Sequence, residues 1–360
     1  MKRRDFLKNA GAGAAGAATL AAPAIVKAQA TVNWRCASSF PKSLDVLYGA
    51  ADYAAKMVGE MSGGKFNIRM FGPGEIVPAL QVLDAVQNGT IELGHTAPYY
   101  YIGKDPTWAF GTAVPFGLNA RQTTAWWYNG GEQVFNEFTQ ANGVVSILGG
   151  NTGAQMGGWF RKEIRNLKDL EGVKMRIAGW GGELMSKMGV VPTQIAAGEI
   201  YQALERGTID AAEWVGPHDD EKLGFAKVAR YYYYPGWWEG GAALHFMVGR
   251  KAWDALSKEH QAMLRMAGHA ANDWMLARYD ALNPVALRRL VATGAQLRAF
   301  PRDMMELAFK NAGQLYAETG AKNPAFKKVH DSYMAFRDPS IAWMRVTENT
   351  FDDFMATVKR

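Results

Sequence analysis

The chain has 360 residues, 48% of them hydrophobic, and a formal net charge of +6. That is enough apolar material for a substantial core and two domains, and residues 1–30 carry +4 of the charge, through Lys2, Arg3, Arg4, Lys8 and Lys27 against Asp5, so the rest offers no nucleic-acid footprint. The single cysteine, Cys36, excludes an intrachain disulfide and a four-cysteine zinc site, and reads as a buried small side chain.

Residues 1–30 read as an export signal, with the paired arginines of RRDFLK, a small and apolar run, and Ala28-Gln29-Ala30 as a cleavage box ahead of Thr31. The twin arginines point to the twin-arginine route. Gly11, Gly13 and Gly16 spell GxGxxG, but no strand precedes them, so they do not mark a dinucleotide site. No later stretch approaches the roughly 20 apolar residues of a membrane span, and the mature chain is expected to be soluble outside the inner membrane.

A βαβ opening follows, with strands in VNWRCAS and KFNIRMF around a helix over 41–64. A helix over 78–88, a strand over 91–97, the Tyr99–Tyr101 cluster, a helix over 123–142 and the strand VVSILGG fill a first lobe to about residue 152. The pattern then restarts. GGWFRK and VKMRIAG read as strands, with a helical turn over 167–170 between them and a short helix over 182–188 after them. Tyr201–Trp214 gives a helix and strand, and a helix over 219–228 precedes YYYYPGWWEGG. AALHFMVG is expected to return to the first lobe. Residues 257–294 read as a long helix broken at Asn283-Pro284, because proline has no N–H for the ladder. QLRAF is a last strand, and 303–360 reads as mainly helical.

Two stretches echo each other: DAVQNGTIE at 84–92 and QALERGTID at 202–210. In each, Gly89 or Gly207 suits the left-handed end of a helix, and the isoleucine after it begins a strand. Two halves built on one plan would place the strand ends His95-Thr96 and Glu213-Trp214 at corresponding positions, and open α/β sheets bind ligands at such ends.

Arg176, in an apolar strand, needs either a local acid or a carboxylate-bearing ligand. Glu213 at a strand end, Glu239 in WWEGG and the amide of Gln155 make an oxygen-rich set suited to a hard cation such as Na⁺ or Ca²⁺. The aromatic residues Tyr231–Tyr234 and Trp237-Trp238 suit core packing more than ligand walls. The histidines form no HExxH, and His218 beside Asp219-Asp220 reads as a solvated helix start rather than the metal ligand its neighbours would also allow. No GxSxG, Walker loop or Cys–His pair is present, so no catalytic machinery is legible and the chain is read as a non-enzyme.

Together the signal, DLEGVKMRIAG, IYQALERGTIDAAEW and YYYYPGWWEGG resemble the DctP-type solute-binding subunits of tripartite ATP-independent periplasmic (TRAP) transporters, over nearly the whole mature chain. The Glu213-Trp214 pair with WWEGG is similar to the subgroup that binds 2-oxo acids or lactate with a metal cation. The resemblance implies an α/β, two-lobed periplasmic solute-binding fold (type II-like) with hinge crossovers and a long C-terminal helix that can exchange within a homodimer. Lobe I would be 31–152, completed by about 243–282; lobe II 153–242, completed by about 283–320; and 321–360 a C-terminal helical region. Arg176 would clamp the carboxylate of a pyruvate-like or lactate-like acid. Gln155, Glu213, the main chain of Trp214 and Glu239 would hold Na⁺ or Ca²⁺. Asn151, Tyr100 and Phe40 are implied as wall or hydrogen-bond residues, with Tyr101 as the alternative to Tyr100. The membrane subunits would be the partners. An exported metal-dependent lyase or hydrolase is the competing expectation, as is a binding protein for larger sugar or aromatic acids.

Overall fold

The computed structural model describes residues 31–358; the expected export signal lies outside the described residues. β1 (Val32–Ser38) is followed by α1 (Leu47–Met61), which buries Leu47, Ala50, Ala51, Ala54 and Val58 on one three-four-spaced face. β2 (Phe66–Phe71) then pairs parallel with β1, Val32 opposite Phe66. α2 (Val82–Gln87) stops where Gly89 takes φ 79°, and β3 (Leu93–Thr96) pairs parallel on the other side of β1, with Ser38 opposite His95. The helix expected over 123–142 is two helices, α3 (Ala120–Trp126) and α4 (Glu132–Ala141). Between them Asn129 and Gly130 leave helical geometry, Gly130 at φ 109°, because this glycine adopts a backbone conformation that breaks the ladder at no steric cost. β4 (Val144–Asn151) is wholly buried.

The second sheet uses β5 (Gly158–Phe160), β6 (Lys174–Arg176), α5 (Gly179–Lys187), β7 (Val191–Thr193), α6 (Ala197–Glu205), β8 (Ala211–Ala212), α7 (Pro217–Leu223) and β9 (Tyr231–Tyr234). β10 (Ala243–Gly249) returns to the first sheet, as expected, antiparallel between β3 and β4. α8 (Arg250–Ala255) leads to α9 (Lys258–Ala292), and β11 (Gln296–Ala299) closes the second sheet beside β9. Helices α10 (Arg302–Lys322), α11 (Pro324–Met344) and α12 (Thr350–Thr357) finish the described chain.

The strand orders are β2-β1-β3-β10-β4 and β11-β9-β5-β8-β6-β7. Reversed and without β11, the second runs β7-β6-β8-β5-β9. Parallel strands occupy its first three places and an antiparallel one the fourth, as in the first sheet. The repeated segments precede equivalent strands, β3 and β8, and Gly207 takes φ 71° to match Gly89.

The break expected at Pro284 does not occur: α9 runs 35 residues, about 52 Å at 1.5 Å per residue. Side chains hold the turns around the proline. Tyr279 donates to Asp219 (2.8 Å), Asn283 Oδ1 accepts from the His218 N–H (3.0 Å), and Ala286 and Leu290 are buried. Gly268 lets α9 approach β4, since a Cβ there would sit 2.7 Å from the Leu148 carbonyl oxygen. Trp180 of α5 stacks on both Tyr316 of α10 and Phe326 of α11, while Tyr333 of α11 accepts from the Leu118 N–H (2.6 Å), so the C-terminal helices touch segments flanking both sheets. Among the described residues no helix is long and apolar enough to cross a membrane.

Candidate functional site

Arg176 ends β6, where its guanidinium is almost entirely buried. Nη1 donates to the Glu213 carbonyl oxygen (2.7 Å) and is paired with Glu213 Oε1, and Nε donates to the Ile195 carbonyl oxygen (3.3 Å). Its plane lies 4.8 Å from the Trp214 ring. The two readings of Arg176 therefore merge: it has a local acid. Among the described residues Nη2 has no hydrogen-bond partner, which leaves two of the five guanidinium N–H groups for a ligand. Glu213 Oε1 also accepts from the Ala178 N–H (3.1 Å) at the start of α5.

Main-chain bonds draw the other acid-bearing and amide-bearing segments against this pair. The Met156 N–H donates to the Val215 carbonyl oxygen (3.1 Å), and the Gly236 N–H donates to that of Gln155 (3.0 Å). The Gly236 carbonyl oxygen in turn accepts from the Glu239 N–H (2.9 Å). Glycine is required at the closest approach: a Cβ on Gly158, whose φ is 92°, would sit 2.6 Å from the Ala212 oxygen and 2.9 Å from Glu213 Cα.

Gln155, Glu213 and Glu239 are all buried, and Gln155 Oε1, Glu213 Oε2 and both carboxylate oxygens of Glu239 have no hydrogen-bond partner among the described residues. Orphaned buried oxygens on this scale demand a counter-charge or a proton. Burial raises the pKa of Glu213, with Arg176 opposing. Burial and the charge of Glu213 push Glu239 well above the usual carboxylate range, with Arg176 and the nearby Tyr99 hydroxyl, which falls short of full hydrogen-bond geometry, opposing. Burial works against the charge on Arg176, but Glu213 and the neighbouring Tyr100, Tyr99 and Glu239 outweigh it and hold the guanidinium cationic. Burial and the mutual repulsion of the two acids both favour a proton, or a second cation, at this pair. Oxygen donors from two carboxylates and one amide fit a hard cation. Among the described residues no group of three or more His, Cys, Asp or Glu is placed to hold a metal, so any such ion must draw on amide or main-chain oxygen as well.

Beside this cluster lies a small cavity with about 250 Å³ of empty space, walled by Phe40, Leu47, Ala97, Tyr99, Tyr100, Thr152, Gln155, Trp214, Val215, Ala242 and Leu244. Only about 10 Å³ of it can take the centre of a water-sized sphere, room for about one water, against the roughly 300–1,000 Å³ of sites for drug-sized ligands. Phe40, Tyr100, Gln155 and Trp214 thus line it, whereas Arg176, Glu213, Glu239 and Asn151 are not on its wall; Arg176 sits behind Trp214. Asn151 Oδ1 accepts from the Gly153 N–H (2.9 Å), and its buried Nδ2 has no partner among the described residues. Tyr101 is committed elsewhere, its hydroxyl bonded to Thr96 Oγ1 (3.0 Å) and the Leu83 N–H (3.2 Å).

Sequence reasoning missed Thr152 and Tyr99. Thr152 stood next to Asn151 in NTGAQ, and Tyr99 led the tyrosine cluster already noted. His218 is corrected: it is not a solvated helix start but largely buried, with Nε2 2.9 Å from Asp45 Oδ1, because α7 packs against the long helix α9. Trp237-Trp238 pack edge to face in the interior.

Two sheets of one plan, joined by paired crossovers and flanking a small cavity with an arginine and two acids at its back, define a two-sheet α/β solute-binding protein. The family model of bacterial extracellular solute-binding proteins, family 7 (DctP), matches residues 37–323, and the chain belongs to that family, the solute-binding proteins of TRAP transporters. The chain is 48% identical to a monocarboxylate 2-oxoacid-binding periplasmic protein of Nostoc sp., over 99% of this chain and all of that one. It is 50% identical to a TRAP transporter solute-binding protein of Bordetella bronchiseptica, solved as a mixed-occupancy dimer with copurified calcium and picolinate in one site; that match covers 91% of this chain and 97% of the other, with a TM-score of 0.89. A Pseudoalteromonas atlantica TRAP protein solved with sodium and pyruvate is 38% identical over 91% of this chain and all of that one, with a TM-score of 0.87.

Proposed function

We propose that this protein captures a small 2-oxo or 2-hydroxy monocarboxylate, pyruvate-like or lactate-like, chelated to a hard cation, and delivers it to the membrane subunits of a TRAP transporter. The observation that carries this is the set of partnerless buried oxygens on Gln155, Glu213 and Glu239 beside Arg176. Those oxygens, with the main chain of Trp214, would hold Ca²⁺ or Na⁺. The ion supplies a positive charge that a 2-oxo acid meets with one carboxylate oxygen and its 2-oxygen, a five-membered chelate. Arg176 meets the remaining carboxylate charge, Asn151 Nδ2 offers a further donor, and Phe40, Tyr100 and Trp214 exclude water. With a divalent ion, Arg176, two carboxylates and a monoanion sum to zero charge; with a monovalent ion one negative charge is left, so calcium should bind more tightly than sodium.

The lobes would be 31–152 with about 243–282, and 153–242 with about 283–320; the placement of β10 in the first sheet and β11 in the second supports this division. The closed form is the one the membrane subunits would recognise. We read residues 1–30 as a twin-arginine signal delivering a periplasmic protein, and the chain as a carrier without catalysis, since nothing near Arg176 resembles an activated nucleophile. The C-terminal region leaves Trp343, Val346, Phe351 and Phe354 more than 60% exposed, an apolar strip that a second copy of this chain would cover.

Titration calorimetry of pyruvate with calcium present tests the reading, repeated after chelation. Arg176→Ala removes the guanidinium that meets the ligand carboxylate and should abolish measurable binding; it also breaks a buried ion pair, at about 3–5 kcal/mol of folding stability, so a melt of the ligand-free variant accompanies it. Undiminished affinity in that variant would refute the role of Arg176. An acid without the 2-oxygen, such as propionate, should bind about 1–3 kcal/mol more weakly than pyruvate.

A further inference from the structure

The chain leaves the first sheet after Asn151 and re-enters it at Ala243, and one residue ties the two passages together. The Thr152 N–H donates to the Ala242 carbonyl oxygen (3.0 Å), and the Ala242 N–H donates back to Thr152 Oγ1 (3.0 Å). The same hydroxyl donates to the Gly153 carbonyl oxygen (3.1 Å) and accepts from Gln155 Nε2 (2.9 Å). A hydroxyl has one proton and two lone pairs, and here all three are committed.

That saturation fixes the amide of Gln155. Turned over, Gln155 would set its carbonyl oxygen against a hydroxyl whose proton is already given to Gly153. Held as it is, Nε2 is spent on Thr152 and Oε1 faces away from it, buried and partnerless. We propose that Thr152 is a positioning residue that aims Gln155 Oε1 at the cation and anchors that ligand to the crossover between the sheets. The proposal rests on Gln155 being a cation ligand. It also gives the crossover a hold on the site, because any shift of Thr152 against Ala242 moves the group that orients Gln155.

The test measures calcium-dependent pyruvate binding by calorimetry in T152V, T152S, Q155A and T152V/Q155A, with thermal melts of the ligand-free proteins. Partners that orient a metal ligand cost about 10–100-fold in metal affinity when removed, and that loss is expected for T152V, while T152S keeps the hydroxyl and should retain near wild-type affinity. The double variant should be no weaker than Q155A alone, since Thr152 acts through Gln155. If T152V does not fold, T152A removes the hydroxyl without the extra methyl and takes its place. Loss in Q155A with normal binding in T152V would overturn the positioning role, as would a second, additive loss in T152V/Q155A. Full calcium-dependent binding in Q155A would instead overturn the cation reading on which the proposal stands.

Discussion

His95 and Glu213 occupy the same place in the two halves of the molecule. Each lies three residues beyond the last acid of the repeated segment, Glu92 or Asp210; His95 is within β3 and Glu213 directly follows β8, both strands run parallel to a neighbour, and both residues are fully buried. In the first half the position is neutral: His95 Nδ1 lies 3.4 Å from Ser38 Oγ, and burial pushes the imidazole down to about 3. In the second half it is charged, because Glu213 pairs with Arg176. One backbone plan thus carries two chemistries. The second half holds the ions, and the first supplies Phe40, Leu47 and Tyr100 to the cavity wall. On the proposed reading, cation and acid settle on the charged half, and the neutral half closes over them as an apolar lid.

The comparison breaks most sharply at the acids. Glu239→Gln keeps the shape and removes the negative charge, so the cation loses one of the two carboxylates that offset it. Truncating one member of a buried charged set costs about 2–5 kcal/mol, and calcium-dependent pyruvate affinity should fall by roughly 30-fold to several thousand-fold. Calorimetry checks this; a variant that still binds calcium and pyruvate with wild-type affinity would remove Glu239 from the site. The same change at His95, the neutral counterpart of Glu213, should leave calcium affinity within about threefold.

The next effect probes where the halves touch. Gly179, at φ 61°, brings α5 against Tyr99 so closely that a Cβ would sit 2.5 Å from the ring. Overpacking of this kind costs about 1–3 kcal/mol. If Tyr99 and Gly179 meet fully only when the protein closes, Gly179→Ala should weaken pyruvate binding by about 5–150-fold while costing the ligand-free protein only the strain of an alanine at positive φ, about 1–2 kcal/mol. A larger loss of ligand-free stability in thermal melts, with unchanged affinity, would show that the contact serves the fold alone.

Acid and base treat the halves with opposite sign. Burial holds His95 and His245 neutral, each at about 3 against an ordinary 6.5. Between those values the unfolded chain binds protons that the folded one refuses, so stability falls as pH drops from about 6.5. Asp220, in the second half, is pushed up to about 7 by burial, against the hydrogen bonds from Tyr232 (2.6 Å) and Trp159 (3.0 Å). The folded chain keeps a proton that the unfolded one has lost, and stability falls as pH rises from about 4 to 7. Asp220→Asn should therefore gain on the wild type as pH rises through that range, by up to about 1.4 kcal/mol per pH unit, and His95→Gln should gain as it falls below 6.5. Urea unfolding at pH 4.5, 5.5 and 6.5 decides; parallel profiles for the two variants would erase the contrast.

Much of this was legible because glycine marks where a helix must end, although each strand starts two residues past the isoleucine, at Leu93 and Ala211. DAVQNGTIE and QALERGTID placed His95 and Glu213 at matching strand ends, and the run of apolar residues returned β10 to the first sheet. Pro284 misled, since local propensity says nothing of Asp219 and His218 holding the turns that lead up to it. The burial of His218 was likewise decided by a distant partner, Asp45, whereas the break at Gly130 is local, set by a glycine at φ 109°. Thr152 carries no sequence signal of its own: that its hydroxyl is saturated follows only from Ala242, ninety residues later in the chain, lying within 3.0 Å.

The smallest expected effect lies at the surface, where Asp45, just ahead of α1, accepts from His218 Nε2 (2.9 Å) and is also bonded to Lys222, both on α7. This ties a first-half loop to a second-half helix. Burial would raise the Asp45 carboxyl, but the Lys222 and His218 bonds outweigh it and hold it below the ordinary range. A depressed acid contributes fully above its ordinary value near 4 and loses the contribution as pH falls through its lowered one, so the tie is at full strength at neutral pH. It is half exposed and screened, which limits it to about 0–1 kcal/mol, or at most roughly fivefold in a rate. If the tie exists only in the closed protein, that difference belongs to opening, and Asp45→Asn should speed pyruvate release while leaving the association rate alone. Stopped-flow tryptophan fluorescence reads both, with Trp214 on the cavity wall as reporter. High salt should bring the wild-type release rate toward that of the variant. Equal release rates at low salt would mean that the two halves part without breaking this bond, and that the lid is held by the ligand alone.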